Sequence, residues 1–167
     1  MVSSGDDSRA AVLWDRFADD VYAYARRRVG ASAAPDVVAE VFIVVVANPT
    51  RVPDDPLPWL YRTAWNTIMN LRRADARRAA LPTRLPREVA SADPAVTVTE
   101  REVVLAALDG LSDADREALL LVAWEGLDPG RAATAAGCSM GTFNVRLHRA
   151  RRRLERALAD DLQDDPR

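Results

Sequence analysis

Apolar residues recur at helical spacing along almost all of this chain, and two clusters of prolines break the pattern. Leu13, Phe17, Val21 and Tyr24 mark one face of a helix from about 9 to 29, stopped by Gly30. Pro35 suits a first helical position and Asp36 complements the helix dipole, so a second helix is expected from there to about 47. Its segment VFIVVVA is β-branched and resembles a strand by propensity alone. No second strand exists in the chain to pair with it, so the reading is helix. Because it is apolar on more than one side, it is expected to be central or covered by a partner. Pro49, Pro53, Pro56 and Pro58 then crowd into ten residues, which no helix interior tolerates. A third helix follows at about 57–78, with Leu57, Leu60, Ala64, Ile68 and Leu71 on one face.

The second break, 79–98, holds three prolines and little periodicity and reads as a linker. Beyond it, helices are expected at about 99–109, 112–125, 129–136 and 139–160, with Ser112 and Asp115 in capping-box spacing. The expected fold is all-α: two small helical domains, 1–78 and 99–160, joined by a flexible Pro-containing linker at 79–98 and followed by an acidic tail at 161–167.

Composition removes several function classes. With 49% apolar residues in 167, the chain has enough material for a packed core. One cysteine, Cys138, excludes an intramolecular disulfide framework and a multi-cysteine zinc site. One histidine, His148, leaves catalytic dyads and triads short of parts, and the carboxylates fall on solvent-facing charge runs. The expectation is no enzyme, no catalytic residue, no metal and no cofactor. The N-terminus, MVSSGDDSRA, is acidic and has no secretory apolar core. The longest apolar run, 41–47, is far below the roughly 18 residues of a membrane span. A cytoplasmic protein without membrane insertion is expected.

A net charge of -2 argues superficially against nucleic acid, but its distribution does not. All 23 basic residues are arginine. Residues 59–87 carry seven arginines against Asp75 alone, and 131–156 carry seven against Glu155 alone, which is +6 in each block. Between them, 93–128 holds nine acids and two arginines, or -7. Two basic blocks flanked by acidic ones are two candidate phosphate-facing surfaces. A solvated arginine-rich helix has the same charge, so the motifs must decide.

The stretch GLDPGRAATAAGCSMGTFNVRLHRARRRL (126–154) has the layout of a helix-turn-helix. A short Ala-rich helix meets Gly137, and Ser139 then caps a long basic helix suited to a major groove. On that helix Phe143, Leu147, Ala150, Leu154 and Leu158 form an apolar stripe. The opposite side carries Gly141, Val145, His148, Arg149 and Arg152, with Asn144 on its flank. Arginine suits guanine and asparagine suits adenine. His148 has no partner for metal ligation, and Cys138 reads as a small packing residue. The 57–78 helix repeats the logic: Arg62, Asn66, Met69 and Arg73 lie opposite its apolar stripe, with Trp65 at the border. Basic groups interleaved with an aromatic fit single-stranded or distorted nucleic acid. Core packing is the commoner fate of Trp65 and Tyr61, and Trp59 is expected in the core.

Together these residues resemble the extracytoplasmic-function (ECF) sigma factors, group 4 of the primary-sigma superfamily, over almost the whole chain. PDVVAEVFIVV (35–45) is similar to the segment that docks on the RNA polymerase clamp, and DDPLPWLYRTAWNTIMNLRRADARR (54–78) to the promoter-melting segment. The helix-turn-helix region, 108–154, is similar to sigma domain 4, most specifically at GTFNVRLHRARRRL. The resemblance implies that sigma domain 4 (99–160) binds a -35 promoter element through Arg131, Thr142, Asn144, Val145, His148, Arg149 and Arg152. It implies that sigma domain 2 (1–78) opens a -10 element with Arg62, Trp65, Asn66, Asn70 and Arg73, the loop at 49–58 capturing a flipped base. Polymerase contact would fall to Asp36, Ala39, Glu40 and Ile43, and the implied partners are the clamp and flap of core RNA polymerase, promoter DNA and an anti-sigma factor. The family usually has Gln where this chain has Ala39. It usually has an acid and a large aliphatic where this chain has Arg131 and Ala132, which predicts a thinner contact between the two helices of the motif and an added phosphate contact from Arg131. A helix-turn-helix regulator that works as a homodimer without polymerase is the alternative, and it leaves the 35–47 and 57–78 helices without a role.

Overall fold

A computed structural model describes residues 4–79 and 98–163. The linker read at 79–98 lies outside the described residues except at its two ends, as does the end of the acidic tail. The chain divides into two compact units, Met1–Ser91 and Ala92–Arg167. Among the described residues all regular structure is helical, with seven α-helices and one 3-10 turn.

The first unit is built from α1 (Ser4–Val29), α2 (Ala34–Ala47) and α3 (Pro56–Ala79), each packed against the other two. Leu13, Phe17, Val21 and Tyr24 of α1 are buried with Val37, Val41 and Val45 of α2 and Leu60, Ala64 and Ile68 of α3. The β-branched run of α2 is thus helical because its valines complete a three-helix core, where tertiary burial overrides local propensity. Its opposite face is open: Ile43 is 59% exposed, with Val46 also exposed. Within this chain α2 is therefore not central on all sides: its apolar residues serve two faces, one in the core and one exposed, and of the two expectations it is cover by a partner that the second face leaves standing.

Two further expectations for α3 are corrected. Leu71 is 40% exposed and Leu57 only half-buried; Tyr61 is buried, in line with the core packing expected of it. Tyr61 stacks on Tyr24 with ring centroids 4.5 Å apart, and the Arg28 guanidinium lies 3.4 Å from the centroid of Tyr24. Arg72 donates to the backbone carbonyl of Arg28 at 3.2 Å, so α1 is ending where Leu71 begins its turn and offers it nothing to pack on. Trp59 is half-buried rather than in the core. The proline cluster is also more structured than a loop: Pro49–Arg51 forms the 3-10 turn, and Pro56 and Pro58 lie in the first turn of α3. First-turn N–H groups have no intrahelical acceptor, so prolines cost nothing there. Arg9 secures this connection by donating to the carbonyl of Val52 at 2.9 Å.

The second unit holds α4 (Val98–Asp109), α5 (Asp113–Ala123), α6 (Pro129–Ala136) and α7 (Met140–Gln163). α7 packs on α4, α5 and α6, burying Phe143, Leu147 and Ala150, while Leu154 and Leu158 are half-buried. Arg116 of α5 donates through Nε (2.9 Å) and Nη2 (2.6 Å) to the carbonyl of Leu108, satisfying the C-terminal end of α4. Half of the expected capping box forms. Ser112 Oγ accepts from the Asp115 N–H at 3.2 Å, but the Asp115 carboxylate turns toward α7 instead of closing the reciprocal bond.

Candidate nucleic-acid interface

The turn between α6 and α7 is fixed by backbone geometry that the sequence requires locally. Asp128 caps α6, its Oδ1 accepting from the N–H groups of Gly130 (2.9 Å) and Arg131 (3.0 Å), with Pro129 at the helix start. Gly137 ends α6 at φ 66 and ψ 39, a left-handed conformation open to glycine without steric cost. Its N–H reaches the carbonyl of Thr134 at 3.1 Å, and Cys138 N–H reaches that of Ala133 at 3.1 Å, which is a Schellman motif. Ser139 caps α7 two residues later, its Oγ accepting from Thr142 N–H at 3.2 Å. Ala132, Ala133 and Ala135 are buried, and α6 packs directly on both α5 and α7. Small residues allow α6 to approach its neighbours closely.

Cut to length and direction by these two caps, α7 presents one continuous exposed face. Thr142, Asn144, Val145, His148, Arg149 and Arg152 are all exposed, Val145 at 67%. Gly141, Thr142, Val145, Arg146 and Arg149 line a shallow open groove of about 410 Å³ at its N-terminal half. The Thr142 hydroxyl accepts from Ser139 at 2.9 Å. Arg131 lies half-buried on α6. Arg149 is also tethered from behind: its Nη2 donates to Asp115 Oδ1 at 3.2 Å, while Arg153 Nη1 donates to Oδ2 at 2.7 Å. Sequence reasoning missed this arrangement. Its available signal was the Arg149–Arg153 spacing of four, beside the apolar stripe and one helix away from an acid in a first turn.

In the first unit, Asn66, Asn70 and Arg73 are exposed on α3, while Arg62 and Trp65 are half-buried. Arg73 donates to Asn70 Oδ1 at 2.7 Å, pairing two of the expected contact residues, and the Arg72 guanidinium lies 6.0 Å from the centroid of the Trp65 ring. Asp36, Ala39, Glu40 and Ile43 are all exposed along one side of α2, at the i, i+3, i+4, i+7 spacing of a single helix face. No helix among the described residues is long and apolar enough to cross a membrane.

Comparison with known proteins matches the same two regions. The family described as Sigma-70 region 2 matches residues 13–78, and Sigma-70 region 4 matches 101–154. The ECF RNA polymerase sigma factor EcfG of Rhodopseudomonas palustris is 34% identical over 148 residues, covering 81% of this chain and 76% of that protein. The ECF RNA polymerase sigma factor SigL of Mycobacterium tuberculosis is 30% identical over 162 residues, covering 92% and 86%. Among solved structures, the sigma factor RpoE of Bartonella quintana, in complex with the anti-sigma factor NepR, superposes with a TM-score of 0.70 at 22% identity, covering 93% of this chain and 98% of that one. CnrH in complex with the cytosolic domain of CnrY has a TM-score of 0.60 at 21% identity, covering 93% and 96%. At such identities the structural likeness establishes the fold alone.

Proposed function

This chain belongs to the ECF RNA polymerase sigma factors, and from that premise we propose how its two helical units divide promoter recognition. As a sigma factor it directs core RNA polymerase to promoters and starts transcription there; the polymerase supplies the bond-making chemistry, and this chain acts in the cytoplasm as a non-enzymatic partner. The exposed face of α7 carries the reading. A helix of this kind enters the major groove by its N-terminal half, where the groove of Gly141, Thr142, Val145 and Arg149 lies. Thr142, Arg131 and Arg152 contact phosphates and set the register, while Asn144, Val145, His148 and Arg149 face base edges of the -35 element. Val145, apolar and exposed, fits a thymine methyl.

The first unit opens the -10 element. Arg62 and Arg73 neutralise phosphates, Asn66 and Asn70 bond unpaired base edges, and Trp65 offers a stacking surface. Flipping a base costs a few kcal/mol, and stacking on an aromatic returns about 1–3 kcal/mol, so one captured base with two or three charge contacts balances the opening. Asp36, Ala39, Glu40 and Ile43 form the polymerase-docking face of α2, with the clamp as counterpart, and the second unit docks on the flap. An anti-sigma factor is the third partner, as one is for the Bartonella protein of similar fold.

Run-off transcription with core polymerase and a genomic promoter set tests the reading. Discrete transcripts that require this chain are expected, together with capture of core polymerase by the chain. Absence of both, with no inhibitor bound, would overturn it. A homodimer protecting two half-sites a helical turn apart would instead favour a polymerase-independent regulator.

A further inference from the structure

The Asp115 carboxylate is 1% exposed, and both of its oxygens accept from arginines of α7, Arg149 and Arg153. Desolvating a carboxylate is costly, and two helices that already meet through apolar side chains are held at least as well by another apolar pair. The arrangement is therefore better explained by what it does to the arginines. Taking Phe143 as the centre of the buried stripe, helical geometry puts Arg153 about 80° and Arg149 about 120° round α7. Arg149 thus stands at the shoulder where the core-facing side gives way to the exposed one. Its side chain is 54% exposed and lines the same groove as Val145. One N–H of its fork goes to Asp115, and the others remain for a base edge. A long cation that is ordered before DNA arrives loses less freedom on binding.

The second consequence is electrostatic. Seven arginines crowd residues 131–156, and each one free to take a phosphate adds to sequence-independent binding. The buried carboxylate neutralises part of the charge of two of them.

We propose that Asp115 is a positioning residue for promoter reading: from α5 it holds the Arg149 guanidinium in a fixed place at the groove edge, and with Arg153 keeps these two cations from indiscriminate phosphate contact. The proposal rests on α7 being the DNA-reading helix. It is tested with the holoenzyme, using a duplex whose upstream element the holoenzyme has selected from a randomised pool and a duplex with that element scrambled. Asp115→Asn keeps the shape and removes the charge. It is expected to lower the preference for the selected duplex about tenfold while affinity for the scrambled duplex is kept or rises. Its salt dependence should steepen by about one unit as a freed arginine takes a phosphate. Arg149→Ala should lower the same preference, and in that background Asp115→Asn should add much less than it does alone, only what a freed Arg153 contributes to binding of both duplexes.

Equal loss on both duplexes, or an undiminished effect in the Arg149→Ala background, makes Asp115 a structural staple and overturns the proposal while leaving the role of α7 intact. If neither variant alters the preference, the assignment of Arg149 as a reader falls first, and the proposal with it. A measurement on the unmodified chain guards against a misfolded variant: nitrogen relaxation of the arginine Nε–H groups in the free protein. Arg149 is expected to be ordered and Arg152 mobile on the nanosecond scale; equal mobility overturns the proposal.

Discussion

Replacing Phe143 by alanine should destabilise the second unit and leave the first unchanged. Phe143 is fully buried in the stripe by which α7 packs on its neighbours. Its burial contributes about 1.5–3 kcal/mol by transfer alone, and the cavity left by truncation raises the cost to about 3–5 kcal/mol. A unit of about 66 residues has a total stability of roughly 3–10 kcal/mol at 0.05–0.15 kcal/mol per residue. The single truncation therefore removes a third of that stability or all of it. The assay is native-state amide exchange read peptide by peptide. Core amides of α5, α6 and α7 should lose 3 kcal/mol or more of protection, about two decades in exchange rate, while those in 13–78 change by less than about 0.5 kcal/mol. Activity should follow the loss, with specific binding to upstream promoter DNA collapsing and core polymerase still captured through α2. A loss below about 1.5 kcal/mol in the second unit would refute the reasoning, because Phe143 would then not be the keystone of α7 packing. An equal loss in both units would refute their treatment as separate folding units.

Three further outcomes are expected. Gly137→Ala should destabilise the second unit by about 1–2 kcal/mol in urea unfolding, since its left-handed conformation penalises any Cβ. Asp128→Ala removes the acceptor for two N–H groups of α6 and should cost about 1 kcal/mol in the same assay, with Asp128→Asn recovering most of it. Ile43→Glu changes an exposed residue, so the thermal midpoint should barely move while capture of core polymerase falls at least tenfold.

Where sequence reading succeeded, the determinants were local. Glycine at 137 and serine at 139 each answer a backbone demand within three or four residues, and the structure carries both caps. The exposed face of α7 followed from period alone, because Phe143, Leu147 and Ala150 leave one direction for the core and the opposite one for solvent. Where it failed, the missing term was always another helix. Leu71 has the spacing of a core residue but lies where α1 ends, and Trp59, expected in the core, is only half-buried. The Asp115 carboxylate has the spacing of a capping box and is claimed instead by two arginines 34 and 38 residues away.

The family, the all-helical class, the position of the helix-turn-helix and the segregation of charge were thus legible in the order of residues. Helical period, caps and prolines act over a turn or two and need no tertiary contact to declare themselves. Tertiary structure alone decided which face of the apolar helix α2 stays open, which aromatic residues of α3 join the core, and which arginines of α7 are held rather than free. Each of those depends on what stands opposite, and a side chain's burial or pairing is a property of two elements, not of one.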